Sequence, residues 1–272
     1  MKSIFIQIFI AQFILLVPCL AQDQKKPIKT VTTAEYSPQR SGELTREEAF
    51  KQNKSSFQKL DNQNRVFQYD QFGPSSKRIY KSYRYLDFSD LVATRVEIYD
   101  DQNNLIEYEV ITLNSDEEIE SIYSYDRLNK LTGIEYYNYD EDKNMASRID
   151  SSFKYSRTLK WSYEYNANNK MSVRRAYDKT GALRDTRTYK YNSDGKESEC
   201  ELTRANGDFS SYKSTYNKNG DYTDSHSYDE KGLLTNHTKF DYIYDEHGNW
   251  TTKHRLSDGV KNYTWERQIE YY

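Results

Sequence analysis

From residue 181 onward glycine recurs at near-regular intervals. Gly181, Gly195, Gly207, Gly220, Gly232, Gly248 and Gly259 are separated by 14, 12, 13, 12, 16 and 11 residues. Four residues before five of them stands a tyrosine: Tyr177, Tyr191, Tyr216, Tyr228 and Tyr244. An Asp or Asn follows each of these tyrosines. Upstream, Tyr165, Tyr125 and Tyr99 keep the same neighbours, but Asn169, Asn129 and Asn103 stand in the glycine place. Glycine enters the left-handed backbone region freely and asparagine tolerates it best among the other residues, so the exchange marks a turn. Leu113 and Phe153 are worn copies of the anchor, and Tyr85 and Tyr69 extend the series to the start of the repeats.

Six residues after the anchor an apolar or aromatic residue recurs in 12 of 14 units, from Leu91 through Met145 and Leu183 to Trp250; Ser75 and Glu197 are the exceptions. The unit is therefore Tyr-[Asp/Asn]-x-x-[Gly/Asn]-x-apolar followed by eight to ten residues of strand. The Asp or Asn side chain accepts backbone N–H groups in the turn, and the Gly or Asn closes it with positive φ. A second ring often precedes the anchor by two, as at Tyr83, Tyr123, Tyr137, Tyr163, Tyr189 and Tyr242. That spacing puts both rings on one face of a strand, which is expected to be the core face. Tight turns imply antiparallel neighbours. The spacing predicts an all-β antiparallel meander of about 14 or 15 short repeat strands over residues 61–272, curled into an open sheet or shell. No proline follows Pro74, which suits unbroken ladders.

The segments before the repeats differ. Residues 1–21 combine Lys2, the apolar run from Ile4 to Val17 and a small residue at Ala21, the pattern of a secretory signal peptide. That run is too short for a membrane span of roughly 20 residues, and no later segment supplies one. Cleavage near Ala21 predicts a chain secreted, periplasmic or at the cell surface. The alternative is lipid anchoring at Cys19, although Pro18 departs from the usual lipidation pattern. Cleavage leaves Cys200 as the lone thiol, so no internal disulfide supports the fold. Residues 22–44, polar and broken by Pro27 and Pro38, read as a flexible tether. Residues 45–60 open with Thr45 and Glu48 as a capping box and predict a short helix, with Phe50, Phe57 and Leu60 covering the first sheet edge.

The stretches Tyr244–Trp250 and Tyr177–Leu183 resemble the YD repeat of the RHS family, whose unit reads roughly Tyr-Asp-x-x-Gly-x-Leu-Thr. The resemblance spans residues 61–272 and is closest in the C-terminal third. It implies a curling β-sheet, which in large members forms a hollow shell enclosing a toxin. It also implies a secreted or cell-surface setting and carbohydrate binding. This chain is far shorter, and no proline-bearing core motif or toxin domain follows its repeats, so the resemblance implies a small secreted YD-repeat-like protein of bacterial type.

Chemistry-bearing motifs are sparse. Without Lys2 the balance is 38 basic to 42 acidic residues, and no basic stripe points to nucleic acid. His226, His237, His247 and His254 cluster in one region but lack the helical or Cys/His spacing of metal sites. Repeat phase places His247 on a turn tip and His226 and His237 in strands. The acidic turns lack the extended ligand pattern of calcium loops, and turn chemistry already explains them. No nucleophile elbow or cysteine signature occurs. The expectation is a non-enzymatic binding or scaffold module without cofactor or metal, whose partner is a polysaccharide or a cell-surface protein. Trp250 and Trp161 fall on the repeat's apolar face and read as structural. Trp265, past the last clear unit, is the candidate binding residue. The alternatives are a secreted glycan hydrolase using paired carboxylates, which needs a concave pocket holding two of them, and an accessory protein of an RHS-type toxin system. Asn53, Asn236, Asn249 and Asn262 open glycosylation sequons that matter only in a eukaryotic secretory pathway.

Overall fold

The computed structural model describes residues 26–36, 48, 50, 52, 54–72, 79–89, 92–257 and 259–272. Residues 1–21, which read as a signal peptide, lie outside them. The strands are β1 (Ile28–Tyr36), β2 (Lys54–Leu60), β3 (Val66–Phe72), β4 (Ile79–Ser89), β5 (Val92–Tyr99), β6 (Leu105–Leu113), β7 (Ile119–Asp126), β8 (Leu131–Tyr139) and β9 (Met145–Ser152). They continue as β10 (Arg157–Tyr165), β11 (Met171–Tyr177), β12 (Leu183–Tyr191), β13 (Glu197–Arg204), β14 (Phe209–Tyr216), β15 (Tyr222–Asp229), β16 (Leu234–Tyr244), β17 (Trp250–Ser257) and β18 (Val260–Tyr271). Each strand pairs antiparallel with the next, and β1 pairs with both β2 and β18. The sheet is therefore a closed barrel of 18 strands, not the open sheet of 14 or 15 that the repeats predict.

The three additional strands are β1, β2 and β18. Residues 28–36, read as tether, form β1, because the β-branched run Val31, Thr32 and Thr33 suits a strand and outweighs the polar flanks. Residues 54–60, read as helix, form β2, which has a ladder on either side, at β1 and β3. Most of residues 45–53 lies outside the described set. Closure removes the sheet edges that a covering helix was expected to protect.

The turns follow their local chemistry. Asp100, Asn114, Asp126, Asp140, Asn166, Asp178, Asn192, Asn217, Asp229 and Asp245 each accept the backbone N–H groups two and four residues on. The closing residue has positive φ throughout, 63° at Asn103 and 84° at Gly181, and also at the worn copies Glu117 (64°) and Lys143 (63°). The anchor and the apolar residue six places on face each other across the hairpin, as in Tyr99 with Leu105, Tyr139 with Met145 and Tyr244 with Trp250. That pairing explains the six-residue correlation in the sequence.

Register assigns the faces, because directly paired residues share a side. The buried Tyr83, Val96, Ile98, Ile111, Ile122, Tyr137, Leu159, Ala176 and Cys200 all fall on one side, which is the inner wall. Most Tyr-x-Tyr pairs point inward with them. At the barrel rim where β8, β10, β12, β14 and β16 end, tyrosine hydroxyls donate to the first carbonyl of the preceding strand. Tyr139 reaches Ile119 at 2.8 Å, Tyr165 reaches Met145 at 3.0 Å, Tyr191 reaches Met171 at 2.7 Å, Tyr216 reaches Glu197 at 2.8 Å and Tyr242 reaches Tyr222 at 2.7 Å. Each such bond contributes about 1 kcal/mol.

Tyr123 and Tyr125 depart from the expected core face. Ile122 and Ser124 take the inward positions of β7, so this pair faces out, where Tyr125 stacks on Tyr108 at 5.0 Å. A one-residue change of phase exchanges every side chain between the faces.

The outer wall is charged over seven of its 18 strands. From β10 to β16 it carries Lys160, Glu164, Arg175, Lys190, Glu199, Glu201, Lys213, Asp224 and Lys239. Lys190 pairs with Glu199 at 3.3 Å and Arg175 pairs with Glu164. The adjoining sector, β4 to β9, is richer in rings and aliphatics, with Tyr108, Val110, Ile134 and Tyr136 facing out.

Candidate functional site

A cavity of about 260 Å³ opens on the inner wall of β4 to β10. It exists where the tyrosine pattern lapses. Ser124, Gly133 and Ser152 lie side by side on β7, β8 and β9 and leave a floor of small residues. A Cβ added to Gly133 would lie 3.2 Å from the Ser151 carbonyl oxygen, a tight contact. The rings of Tyr83, Tyr85 and Tyr137 and the carboxylates of Glu107, Glu109, Glu135 and Asp150 surround the floor, with Lys81 and Arg157 at their margins.

The carboxylates are not equivalent. Burial within the wall, with Glu135 and Glu107 nearby, pushes Glu109 up to about 7. Glu135 is also raised by burial, which outweighs two partners on the same oxygen. Those partners are the Arg148 guanidinium at 2.7 Å and the Tyr137 hydroxyl at 2.5 Å. Asp150 pairs with Arg157 at 3.2 Å. Burial beside Glu135 likewise holds the Tyr137 phenol well above its usual range, so it stays a hydrogen-bond donor. The pocket thus offers ring faces, one strongly oriented carboxylate, one carboxyl poised between its two forms, and a cation at each margin.

The remaining inner wall is basic. Arg174 and Arg187 are direct cross-strand partners, and Arg174 pairs with Asp185 at 3.2 Å. The Arg267 guanidinium lies 3.4 Å from the Trp250 ring centre, and burial pushes Arg267 down to about 10. Burial, together with Arg267, also lowers Lys253.

Trp265 sits on the inner wall of β18, half-buried, opposite Lys253 and Glu35. It packs on Tyr263 at 4.5 Å and lies under the Lys253 ammonium at 5.1 Å. It belongs to this aromatic and basic sector, away from the carboxylate pocket. Trp250 and Trp161 also face inward. Cys200 is buried, and burial raises its thiol above the usual range. His247 lies on its turn and His254 bonds Thr264 at 3.0 Å. His226 and His237, by contrast, come together with Asp224 on the outer wall.

Sequence reasoning did not single out Glu107, Glu109, Glu135 or Asp150. A signal existed at Glu107 and Glu109, whose alternate spacing puts two acids on one face. Which face they share follows only from register against β5 and β7.

No family model matches the chain, and no curated protein matches it. Among solved structures, a porin-like protein from Bacteroides uniformis superimposes with a TM-score of 0.50 at 9% identity, covering 91% of this chain and 99% of that one. A porin-like protein from Bacteroides vulgatus gives 0.35 at 14% identity, covering 91% and 99%. The Photorhabdus luminescens Tc holotoxin pore gives 0.32 at 8% identity, covering 78% of this chain and 15% of that one. The chain therefore has a bacterial porin-like β-barrel fold, and identities this low speak to the fold alone. The RHS resemblance continues to rest on the repeat motif.

Proposed function

We propose that the chain is an exported, non-enzymatic barrel that works in water at the cell envelope and binds a small polyhydroxylated ligand, such as an oligosaccharide fragment, in its inner pocket. The observation that carries this reading is the grouping of Tyr83, Tyr85 and Tyr137 with four carboxyl groups around one cavity. Ring faces pack against the apolar faces of sugars, and fixed carboxylates accept their hydroxyl protons. The charged outer wall supports a solvated barrel, since a membrane-spanning one presents an apolar band about 25 Å tall to lipid.

A glycan array followed by calorimetry tests the reading. Binding should weaken in Tyr85→Ala and Glu135→Gln chains. Silence on the array together with an empty pull-down from envelope extracts would overturn it.

A second reading is favoured by one observation. Glu109, pushed up to about 7 beside other carboxylates, has the protonation a general acid needs in glycoside hydrolysis. Release of reducing sugar by the unaltered chain, lost in Glu109→Gln with binding retained, would select hydrolysis over binding alone.

A further inference from the structure

We propose that Asp224, His226 and His237 form a binding site for a divalent transition ion of the zinc class on the outer wall of the barrel. His226 on β15 and His237 on β16 are direct cross-strand partners. Asp224 precedes His226 by two residues and so shares its face. The Asp224 Oδ1 atom lies 3.1 Å from His226 Nδ1 and 3.1 Å from His237 Nε2. The three candidate ligand atoms all lie within 4.8 Å of one another. A tetrahedral zinc ion with bonds near 2.1 Å has ligand-to-ligand edges of about 3.4 Å, so the two measured edges are close to what the ion requires.

The backbone supports the arrangement. All three side chains project from a paired ladder, and each neighbouring strand continues that ladder, so their Cβ positions do not depend on a loop. The imidazoles stack 4.2 Å apart at 12°. Binding therefore asks each ring to turn about its Cβ–Cγ bond until its nitrogen lone pair meets the ion. The side chains are accessible, with 38% exposure at His226, 28% at His237 and 19% at Asp224. Lys213 stands opposite His226, and Thr215 and Lys239 stand opposite Asp224. Among the described residues no further His, Cys or acid joins the group, so solvent or an exogenous ligand would complete the coordination. Two imidazoles and one carboxylate select zinc, nickel or copper over calcium and magnesium, which prefer all-oxygen shells.

The test is a calorimetric titration of the full chain from Gln22 with Zn²⁺ alone, paired with the visible absorption of the Co²⁺-loaded chain. The expected result is one ion per chain and a Co²⁺ spectrum of nitrogen and oxygen ligation. His226→Ala, His237→Ala and Asp224→Asn should each weaken binding by at least about tenfold, the loss expected when coordination is disturbed. His254→Ala, on the same wall but outside the group, should leave it unchanged. The paired His226→Gln and His237→Gln substitutions keep polar side chains at both positions and decide the matter should an alanine variant fail to fold. Absence of stoichiometric binding by the unaltered chain, or unchanged affinity in the doubly substituted one, would overturn the site.

Discussion

Glu117 stands at a turn position that elsewhere holds Gly or Asn, and it holds the same left-handed backbone with φ of 64°. A side chain with a Cβ carries roughly 1–2 kcal/mol of strain there. Glu117 is exposed, so replacing it sacrifices little packing. Glu117→Gly should therefore raise stability by about 0.5–1 kcal/mol after the extra freedom of the unfolded glycine is subtracted, measured by denaturant unfolding. A fall in stability would show that the turn is not under strain. Glu109 tests the opposite end of residue chemistry. Its folded value, near 7, lies above that of a free carboxyl, so folding disfavours its ionised form. The resulting penalty is absent below the ordinary carboxylate range and is complete above about pH 7. Glu109→Gln should melt higher than the unaltered chain at pH 8, with the gap closing near pH 4; equal melting at both would refute the shift. The two residues also show what was legible. Turn residues answer to neighbours within five positions, so the repeat disclosed them. Glu109 answers to Glu135 two strands away, which only the assembled wall brings near.

At the scale of elements, the hairpins were legible and the clasp was not. Most units from Tyr69 to Tyr244 carry the turn signal, and β3 to β17 follow from it, with Tyr85 and Phe153 keeping only the spacing. β1 and β2 carry no such signal and were read as tether and helix. β1 is held from one side by β18, at the far end of the chain, and β2 fills the place between β1 and β3, neither of which a local pattern shows. Thr32 on β1 pairs with Gln268 on one side and Phe57 on the other. Thr32→Pro removes a donor from the middle of this doubly paired strand. The expected outcome is an opened seam whose bare edges pair between molecules. Light scattering after size exclusion should then show dimers or larger species that grow with concentration, where the unaltered chain shows none of that growth. A variant that elutes as the unaltered chain does, with the same melting temperature, would show that the seam does not depend on β1.

At the scale of the whole molecule, the fold likeness gives the path of the chain, and the surface chemistry bears on the medium it works in. The path of the chain is porin-like, and the outward residues of β10 to β16 include Lys160, Glu164, Lys190, Glu199 and Glu201. Basic side chains at the centre of a lipid-facing strand cost about 2–4 kcal/mol each. A chain beginning at Gln22, and so without Cys19, should stay in the aqueous layer on detergent phase separation and refold without lipid. Recovery in the detergent layer would place the barrel in the membrane instead. The repeat motif made the all-β meander legible, because each hairpin declares its own turn. Closure was not legible, because the number of strands in a ring is set by twist and stagger summed around the circle. The seam between β1 and β18 also imposes an order in time. Tyr263 on β18 bonds Glu35 on β1 across 228 positions. Hairpins between neighbouring strands close early, since their loops are short, whereas this contact must wait for nearly all of the chain. During synthesis or export β1 emerges first and pairs early with β2, but its other edge is closed last, so a product cut short anywhere before β18 keeps an open flank that proteases and chaperones can recognise.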